Sequence, residues 1–290
     1  MVWAEAFSQI QLATLGALTR YFLLGGKFII SGDQWQLSGP FDIHGDAMQR
    51  LPENSCFKTL CNCVGWEFTE SRRAQGPLAQ AHFTYYCSLN NLPEGLLGAS
   101  ALMELRRRFP WQGQMPDYVL CVSNKSRELF AMSLLAQHAV AKRGEPHVDI
   151  FPGPVKGAPL RTHTMMRLWV GLELMGCRRT ARPKGVCNGC LYTVTELGDN
   201  IKLSDGVNEI SLSKEQVGEQ LRYSWARTYY GVQGYTFDRR VLLMDTGHVH
   251  FRRRHAYVAV SRARDPEKAT CLPHNRKIPS SNKPTTLPNS

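Results

Sequence analysis

The sequence predicts an α/β fold in which parallel sheets are flanked by helices and a small antiparallel β-barrel is inserted late in the chain. Two apolar runs, Lys27–Ile30 and Val241–Met244, have the composition of strands that are buried on both faces of a parallel sheet. Between Lys184 and Val217 the pattern changes to short strands that alternate with turn residues, which is typical of hairpins. The first observation predicts the α/β core and the second predicts the inserted barrel.

The other elements follow in chain order. A strand at Val2–Ala6 precedes a helix with Ser8 as a suitable N-cap, because a serine hydroxyl accepts a hydrogen bond from the first turn. Asp117–Asn124 predicts a strand that runs into a helix, and His255–Arg264 predicts a last helix. The core-facing positions expected on these three helices are Ile10, Leu15, Leu18 and Phe22, then Leu129, Met132, Ala136 and Val140, then Tyr257, Val258 and Val260. The barrel strands are expected at Leu191–Val194, Ile201–Leu203 and Ile210–Leu212.

Basic residues outnumber acidic ones across the chain. With 35 Lys and Arg against 24 Asp and Glu the net charge is +11, which produces a field that attracts polyanions. Arginine clusters at 106–108, 178–182 and 252–254 carry much of this charge, although each is also compatible with a solvated basic face. Four aromatic side chains are suited either to base stacking or to the core: Trp225, for which we favour the core, Tyr229, Tyr230 and Tyr235.

Cysteine usage indicates a reducing compartment. The chain has nine cysteines at irregular spacings, no secretory signal and no apolar run near the length of a membrane span. Cys187 and Cys190 have the spacing of half a zinc site, but a second pair is needed at suitable spacing, so we expect free thiols and no metal site. We therefore expect an intracellular protein without a membrane partner, for which the nucleus and a site of viral replication are both open.

A glycine-rich turn and a basic helix end contain residues that are suited to binding phosphate groups. Thr228 precedes a turn in which Gly231 and Gly234 permit a close backbone approach or a positive φ. Gln233 between them can both donate and accept hydrogen bonds, so this loop suits phosphate or sugar contacts. Arg262 is expected at the end of a helix, where a rigidly held guanidinium can stabilise a transferring phosphate.

These segments resemble the motifs of superfamily 1 DNA helicases of the Pif and RecD branch. The stretch Trp225–Phe237 and the segment Tyr257–Ala263 resemble the last two motifs of that family. Ser31–Pro40 is similar to its Gly-Asp-x-x-Gln-Leu-x-x-Pro motif, and Phe68–Arg73 to its Leu-Thr-x-x-x-Arg segment. Val2–Ala6 resembles the strand that ends in Asp-Glu. The resemblance implies RecA-like lobes that bind ATP and Mg²⁺ and step along single-stranded or forked DNA, with 5′-3′ polarity expected.

The resemblance also implies a role for each matching residue. Glu5 would polarise the attacking water, Gln36 would sense the terminal phosphate, and Arg73 and Arg262 would stabilise the γ-phosphate. The implied nucleotide-binding residues are Gly32, Asp33, Gln36, Gln233, Gly234 and Arg262. The implied nucleic-acid-binding residues are Thr228, Tyr230, Gln233, Thr236, Arg252 and Arg253.

The sequence departs from the family pattern at two places. Ala4 stands where the magnesium-binding Asp is expected, and no Gly-x-x-x-x-Gly-Lys-Ser/Thr segment occurs in the 290 residues. We therefore expect the C-terminal part of a helicase, completed by a missing lobe or a second chain. Two alternatives stay open. The 290 residues could form a nucleic-acid-binding module that does not hydrolyse ATP, or they could act on RNA, as viral replicase helicases do.

The resemblance divides the chain into five segments. Residues 1–65 would be the end of the first RecA-like lobe, and residues 66–183 the first part of the second lobe. Residues 184–217 would form the inserted barrel and residues 218–272 the rest of the second lobe. The Pro-, Ser- and Asn-rich residues 273–290 are expected to be a disordered tail.

Overall fold

The computed structural model describes residues 2–4, 12–33, 55–62, 64, 73, 77–92, 97–151, 165–177 and 185–272. Two compact units divide the chain: residues 1–122 with 228–274, and residues 123–227 with 275–290. Within the described residues, the helices are all too short or too polar to cross a membrane. The five segment boundaries predicted from the sequence stay predictions.

The first unit contains two parallel sheets. Strands β1 (Val2–Ala4) and β2 (Phe28–Ile30) pair in parallel, with Val2 opposite Phe28. The larger sheet has the strand order β11-β3-β12-β13. Its strands and the helices of this unit are β3 (Tyr118–Cys121), β11 (Ala226–Thr228), β12 (Val241–Leu243), β13 (Ala269–Cys271), α1 (Leu12–Leu23), α2 (Ser55–Leu60), α3 (Ala79–Ser88), α4 (Ala99–Arg108) and α7 (Arg253–Arg262).

Strand β12 is the centre of this sheet, as its continuous apolar sequence predicts. It pairs in parallel with β3 on one side and β13 on the other, and its three side chains are all fully buried. Burial of three aliphatic side chains stabilises the fold by about 1.5–3 kcal/mol each. The prediction for β2 is only partly right: the strand exists, but Ile29 is half exposed, because a strand is buried only where other elements cover its faces.

The last helix, α7, is covered on every side. All ten of its residues are buried, including Arg253, Arg254, His255 and Arg262. It packs with α3 and with strand residues of the central sheet in one hydrophobic cluster that includes Val258 and Val260. The sequence placed the start of this helix at His255, two residues late, because Arg253 and Arg254 look like surface residues in isolation.

The second unit is built around an antiparallel sheet with the strand order β10-β6-β7-β8-β9. The three predicted strands are confirmed as β7, β8 and β9, and two strands outside the predicted range join them. Closure into a barrel stays a prediction, since the described strands contain no pairing between β9 and β10. The elements of this unit are α5 (Asn124–Ala141), β4 (Val148–Ile150), β5 (Met166–Leu168), β6 (Glu173–Gly176), β7 (Leu191–Glu196), β8 (Asn200–Ser204), β9 (Glu209–Ser213), α6 (Lys214–Gln220) and β10 (Leu221–Tyr223).

Stacked aromatic rings form part of the core of the second unit. Trp225 lies between Tyr223, with ring centroids 4.3 Å apart, and His138, with centroids 4.5 Å apart. Its indole N–H donates to the carbonyl of Ala131 at 3.2 Å. Trp225 is therefore a core residue, as we favoured from the sequence.

The predicted core face of α5 is wrong. Leu129 and Val140 are more than 60% exposed, whereas Leu134 and Leu135 are buried. The helix carries apolar residues on more than one face. His138, one turn after Leu134, stacks on Trp225, so the face that contains these two residues is the one turned towards the core. Periodicity alone does not reveal which apolar stripe meets a partner.

Candidate functional site

Arg262 is held at the last position of α7 by its backbone. Its carbonyl oxygen accepts a hydrogen bond from the Phe237 N–H at 2.8 Å, and the Arg264 N–H donates to the Phe237 carbonyl at 2.9 Å. The side chain of Arg262 is only 3% exposed. These bonds fix the backbone of Arg262, and burial restricts its side chain.

Arg73 reaches the same place from a distant part of the chain. Its Nη1 donates to the carbonyl of Ser261 at 3.0 Å, one residue before Arg262. Its Nε donates to the hydroxyl of Thr236 at 3.1 Å. The two arginines that the sequence assigned to the γ-phosphate therefore lie together, and Thr236 lies with them.

Asp33 joins this cluster through a tyrosine of α7. The Tyr257 hydroxyl donates to Asp33 Oδ2 at 2.6 Å, and the Tyr257 ring packs edge-on against Tyr86 with centroids 5.6 Å apart. Asp33 follows β2 by three residues, with Gly32 immediately before it. Residues from the Gly-Asp segment, the Ser-Arg segment and the arginine segment thus meet at one point.

The electrostatics of this cluster favour an anionic ligand. Burial, followed by the positive charge of Arg73, lowers the pKa of Arg262 to about 10, and the Asp33 carboxylate partly opposes that shift. Arg262 therefore stays charged at neutral pH. Its buried Nε has no hydrogen-bond partner among the described residues. A buried cation with an unsatisfied donor is costly unless an anion pairs with it, and a phosphate supplies both charge and acceptors.

The glycine-rich loop has the shape that its sequence predicts. The Gly231 N–H donates to the Thr228 hydroxyl at 3.1 Å, and a Cβ at Gly231 would lie 3.2 Å from that oxygen. Gly234 has a φ of +90°, which L residues with a side chain rarely adopt. Gln233 is partly buried between these glycines. The Thr228 hydroxyl therefore shapes the turn from inside.

The predicted nucleic-acid ligands fall into different environments. Arg252 is exposed at the residue before α7, and Tyr230 is partly buried edge-on to His255 with centroids 6.0 Å apart. Arg253 is 4% exposed, and its Nη1 donates to the carbonyls of Asn90 and Leu92 at 2.6 and 2.7 Å. Arg252 is thus accessible to solvent and Tyr230 partly so, whereas Arg253 binds backbone carbonyls.

Two predicted catalytic residues, Glu5 and Gln36, lie outside the described residues. Ala4, which stands where the resemblance expects a magnesium-binding Asp, ends β1. Among the described residues no three His, Cys, Asp or Glu side chains converge in a way that could hold a metal ion.

Tyr257 is the residue of this site that sequence reasoning missed. Its position fitted the apolar face of the last helix, so its hydroxyl was given no role. A buried tyrosine hydroxyl usually has a hydrogen-bond partner, and that rule was the available signal. Tyr86, which supports the Tyr257 ring, had no such signal in the sequence.

The parallel sheets and flanking helices form an α/β fold of the RecA-like kind. Solved Pif1 helicases share it across nearly the whole chain. The Pif1 helicase from Candida albicans aligns over 95% of this chain and 72% of its own, with a TM-score of 0.55 and 15% identity. The Bacteroides Pif1 structure in complex with ADP-AlF3 and ssDNA aligns over 93% and 70%, with a TM-score of 0.59 and 18% identity.

A third structure describes two coordinating Pif1 helicases at forked dsDNA. It aligns over 93% of this chain and 68% of its own, with a TM-score of 0.60 and 19% identity. No protein-family model matches the chain, and no curated protein matches it in sequence. The resemblance to Pif1 helicases is therefore one of fold.

Proposed function

We propose that this chain forms the phosphate-sensing and DNA-contacting part of an ATP-dependent superfamily 1 DNA helicase. The observation that carries the proposal is the meeting of the buried Arg262 with the partly buried Arg73, which come from separate motifs. Asp33 lies at the same point through Tyr257. The sequence motifs gave each residue a nucleotide role independently.

The two arginines supply positive charge where negative charge develops during phosphoryl transfer. Arg73 is fixed by bonds to Thr236 and to the Ser261 carbonyl, and Arg262 by the end of α7. Fixed donors do not need to reorganise during the reaction, which is why they stabilise a transition state well. Arginines in this role contribute about 10³ to 10⁵ in rate in other nucleotide hydrolases. Arg262 is the principal candidate because its Nε is unsatisfied among the described residues.

Single-stranded DNA is the proposed track. Bacteroides Pif1, which has the same fold, has been solved bound to ssDNA. The net charge of +11 favours a polyanion, and the exposed Arg252 lies close to the Gly231–Gly234 loop through His255 and Tyr230. Gln233 and Thr236 belong to the stretch that joins this loop to the arginine cluster. Because this stretch contacts both sites, binding or hydrolysis of the nucleotide would change the affinity for DNA.

A second candidate function is a non-hydrolysing nucleic-acid-binding module. It is favoured by Ala4, because an alanine methyl cannot coordinate magnesium, and by the absence of a phosphate-binding P-loop in the 290 residues. This candidate keeps the fold and the basic surface but not the turnover. RNA in place of DNA is a further alternative for either candidate.

One experiment separates these functions. ATP hydrolysis by the 290-residue protein is measured with and without a thymidine oligonucleotide, and binding of the labelled oligonucleotide is followed by anisotropy across a salt series. Arg262→Ala is compared with Arg264→Ala, a matched control only two residues away. Arg264 is exposed and forms a surface ion pair with Asp238 at 2.9 Å, so its loss should change turnover little.

DNA-stimulated hydrolysis that falls at least a hundredfold in Arg262→Ala, and less than twofold in Arg264→Ala, supports the helicase proposal. Salt-sensitive DNA binding without hydrolysis by the wild type assigns the second candidate to the 290 residues taken alone. A protein that neither binds the oligonucleotide nor hydrolyses ATP refutes both. The same titration with a uridine oligoribonucleotide distinguishes DNA from RNA.

A further inference from the structure

Two segments of the first unit leave the same end of strand β3. The Met244 N–H, directly after β12, donates to the Leu120 carbonyl at 2.8 Å, and the Tyr229 N–H, directly after β11, donates to the Cys121 carbonyl at 3.1 Å. The Tyr229 hydroxyl also donates to the Met244 carbonyl at 2.7 Å. The glycine-rich loop and the chain that follows Met244 are therefore neighbours. They lie outside the carboxyl ends of the strands, where α/β sheets bind their ligands.

The chain after Met244 forms a tight turn that the core holds at both ends. Asp245 has a φ of +56°, its carboxylate accepts from the Val122 N–H at 3.3 Å, and its carbonyl accepts from the His248 N–H at 2.8 Å. At the other end, Phe251 is 2% exposed, and its N–H donates to the His248 carbonyl at 2.8 Å. The turn between Asp245 and Phe251 is therefore fixed in one conformation.

Two histidine rings and a valine lie on this turn. The His250 N–H donates to His248 Nδ1 at 3.1 Å, which holds the His248 ring against the backbone. The ring centroids of His248 and His250 are 5.3 Å apart at an angle of 46°, so the rings do not cover each other face to face. His250 is exposed, and Val249 is 69% exposed. The turn thus presents an aromatic ring and an apolar side chain to solvent.

This turn lies beside the residues that contact nucleic acid under the proposed function. His250 and Arg252 are two residues apart, and the Arg252 N–H donates to His255 Nδ1 at 3.0 Å. The centroid of the His255 ring lies 5.7 Å from that of Phe251 and 6.0 Å from that of Tyr230. An exposed aromatic ring next to an exposed arginine suits a single strand, because bases stack on rings while cations pair with phosphates.

We propose that His250 forms a stacking subsite for one base of the single strand, next to Arg252. The inference rests on the proposed function, because it takes single-stranded DNA as the ligand. It adds a residue that lies outside the segments that resemble helicase motifs. The His250 ring stacks on the base, and the Arg252 guanidinium pairs with a neighbouring phosphate. Stacking of a neutral ring involves no charge, so its loss is separable from the loss of an arginine.

The test measures binding of a labelled thymidine oligonucleotide to four full-length proteins by anisotropy at pH 8, above the range in which imidazole ordinarily titrates. The proteins are wild type, His250→Ala, His250→Phe and His147→Ala. His250→Phe keeps an aromatic ring, and His147→Ala removes an exposed histidine of the second unit as the matched control. Each protein is titrated with the intact oligonucleotide and with a set in which one base at a time is replaced by an abasic site. Urea midpoints check that each variant is folded.

His250→Ala is expected to weaken binding of the intact oligonucleotide about fivefold to tenfold, which is the size of a single stacking contact. In the wild type, an abasic site at one position weakens binding by a similar factor. His250→Ala removes the sensitivity at that position, because ring and base contribute as a pair. His250→Phe and His147→Ala keep both the affinity and the sensitivity. The salt dependence is the same for all four proteins, because none of the substitutions removes a phosphate-binding charge.

The subsite is overturned by a His250→Ala protein that binds as tightly as the wild type, or by one that keeps the wild-type sensitivity at every abasic position. It is also overturned if His250→Phe binds as weakly as His250→Ala, since a ring alone would then be insufficient. These outcomes leave DNA binding by the wild type, and hence the proposed function, unaffected. A wild type that binds no oligonucleotide refutes the single-strand track and the subsite with it.

Discussion

The buried environment of His255 predicts that the protein loses stability in mild acid. It lies at the third position of α7, is 4% exposed, and packs edge-on against Tyr229 with centroids 5.4 Å apart. Its Nδ1 accepts a hydrogen bond from the Arg252 N–H at 3.0 Å, which only an unprotonated nitrogen can do. Burial is the main cause that lowers the pKa of His255 from 6.5 to about 4, and the positive charge of Arg252 adds to it.

The direction of the pH dependence follows from proton binding to His255 in the folded and unfolded states. Between the unfolded pKa of 6.5 and the folded pKa of about 4, the unfolded chain binds the proton and the folded protein does not. Stability is therefore complete above pH 6.5 and falls as the pH drops through this window. The loss between about pH 7.5 and about pH 5 is roughly 2 kcal/mol, and the limit well below the folded pKa is roughly 3 kcal/mol.

Urea denaturation across this pH range measures the effect. His255→Gln, which does not titrate, should lose about 2 kcal/mol less than the wild type between the two pH values, even if it is less stable throughout. His147→Gln is the matched control, because His147 is exposed and is not among the groups that act on the pKa of His255. Burial also lowers the pKa of His82, so the comparison of slopes isolates His255. Equal slopes for wild type and His255→Gln would refute the reasoning.

Two further predictions use neighbouring pairs of residues. Arg252→Ala should weaken oligonucleotide binding and reduce its salt dependence by about one charge, with little change in the urea midpoint. Arg253→Ala should cost about 1 to 3 kcal/mol in unfolding free energy, because it removes a buried side chain whose Nη1 donates to two carbonyls in a partly buried environment. Gly176→Ala should disrupt the antiparallel sheet, because a Cβ there would lie 2.0 Å from the Cys187 carbonyl oxygen. The control Gly198→Ala should be tolerated, because the nearest atom to a Cβ at that position is 3.4 Å away. Circular dichroism melts compare the last pair, and equal melting temperatures would contradict the close approach.

Strongly local features of the fold were predictable from the sequence. The β12 run was identified as a buried strand because a short, continuous aliphatic run is typical of a strand covered on both faces. The strands β7, β8 and β9 were found because turn residues delimit them. The core face of α5 was not predictable, since Leu129 and Leu134 are equally apolar and only a packing partner distinguishes them.

The sequence predicted which residues belong to the candidate site, but it did not predict how they are arranged in space. Motif resemblance proposed Arg73, Arg262 and Asp33. The order of motifs along the chain does not give the distance in space between residues such as Arg73 and Ser261, which are 188 positions apart. The environment of Arg253 was also beyond the sequence. It differs from Arg252 only in which side of a helix start it occupies, yet one side chain is buried and the other is exposed.

By itself, the sequence determined the α/β class, the order of the elements, the Gly234 turn and the set of residues suited to phosphate and DNA. These features depend on local composition and backbone freedom, which neighbouring residues along the chain decide. Only the tertiary structure decided that Arg73 and Arg262 lie together and that the Tyr257 hydroxyl donates to Asp33. Their charge, burial and hydrogen bonds arise from side chains that are far apart in sequence, so the physical reason is long-range packing.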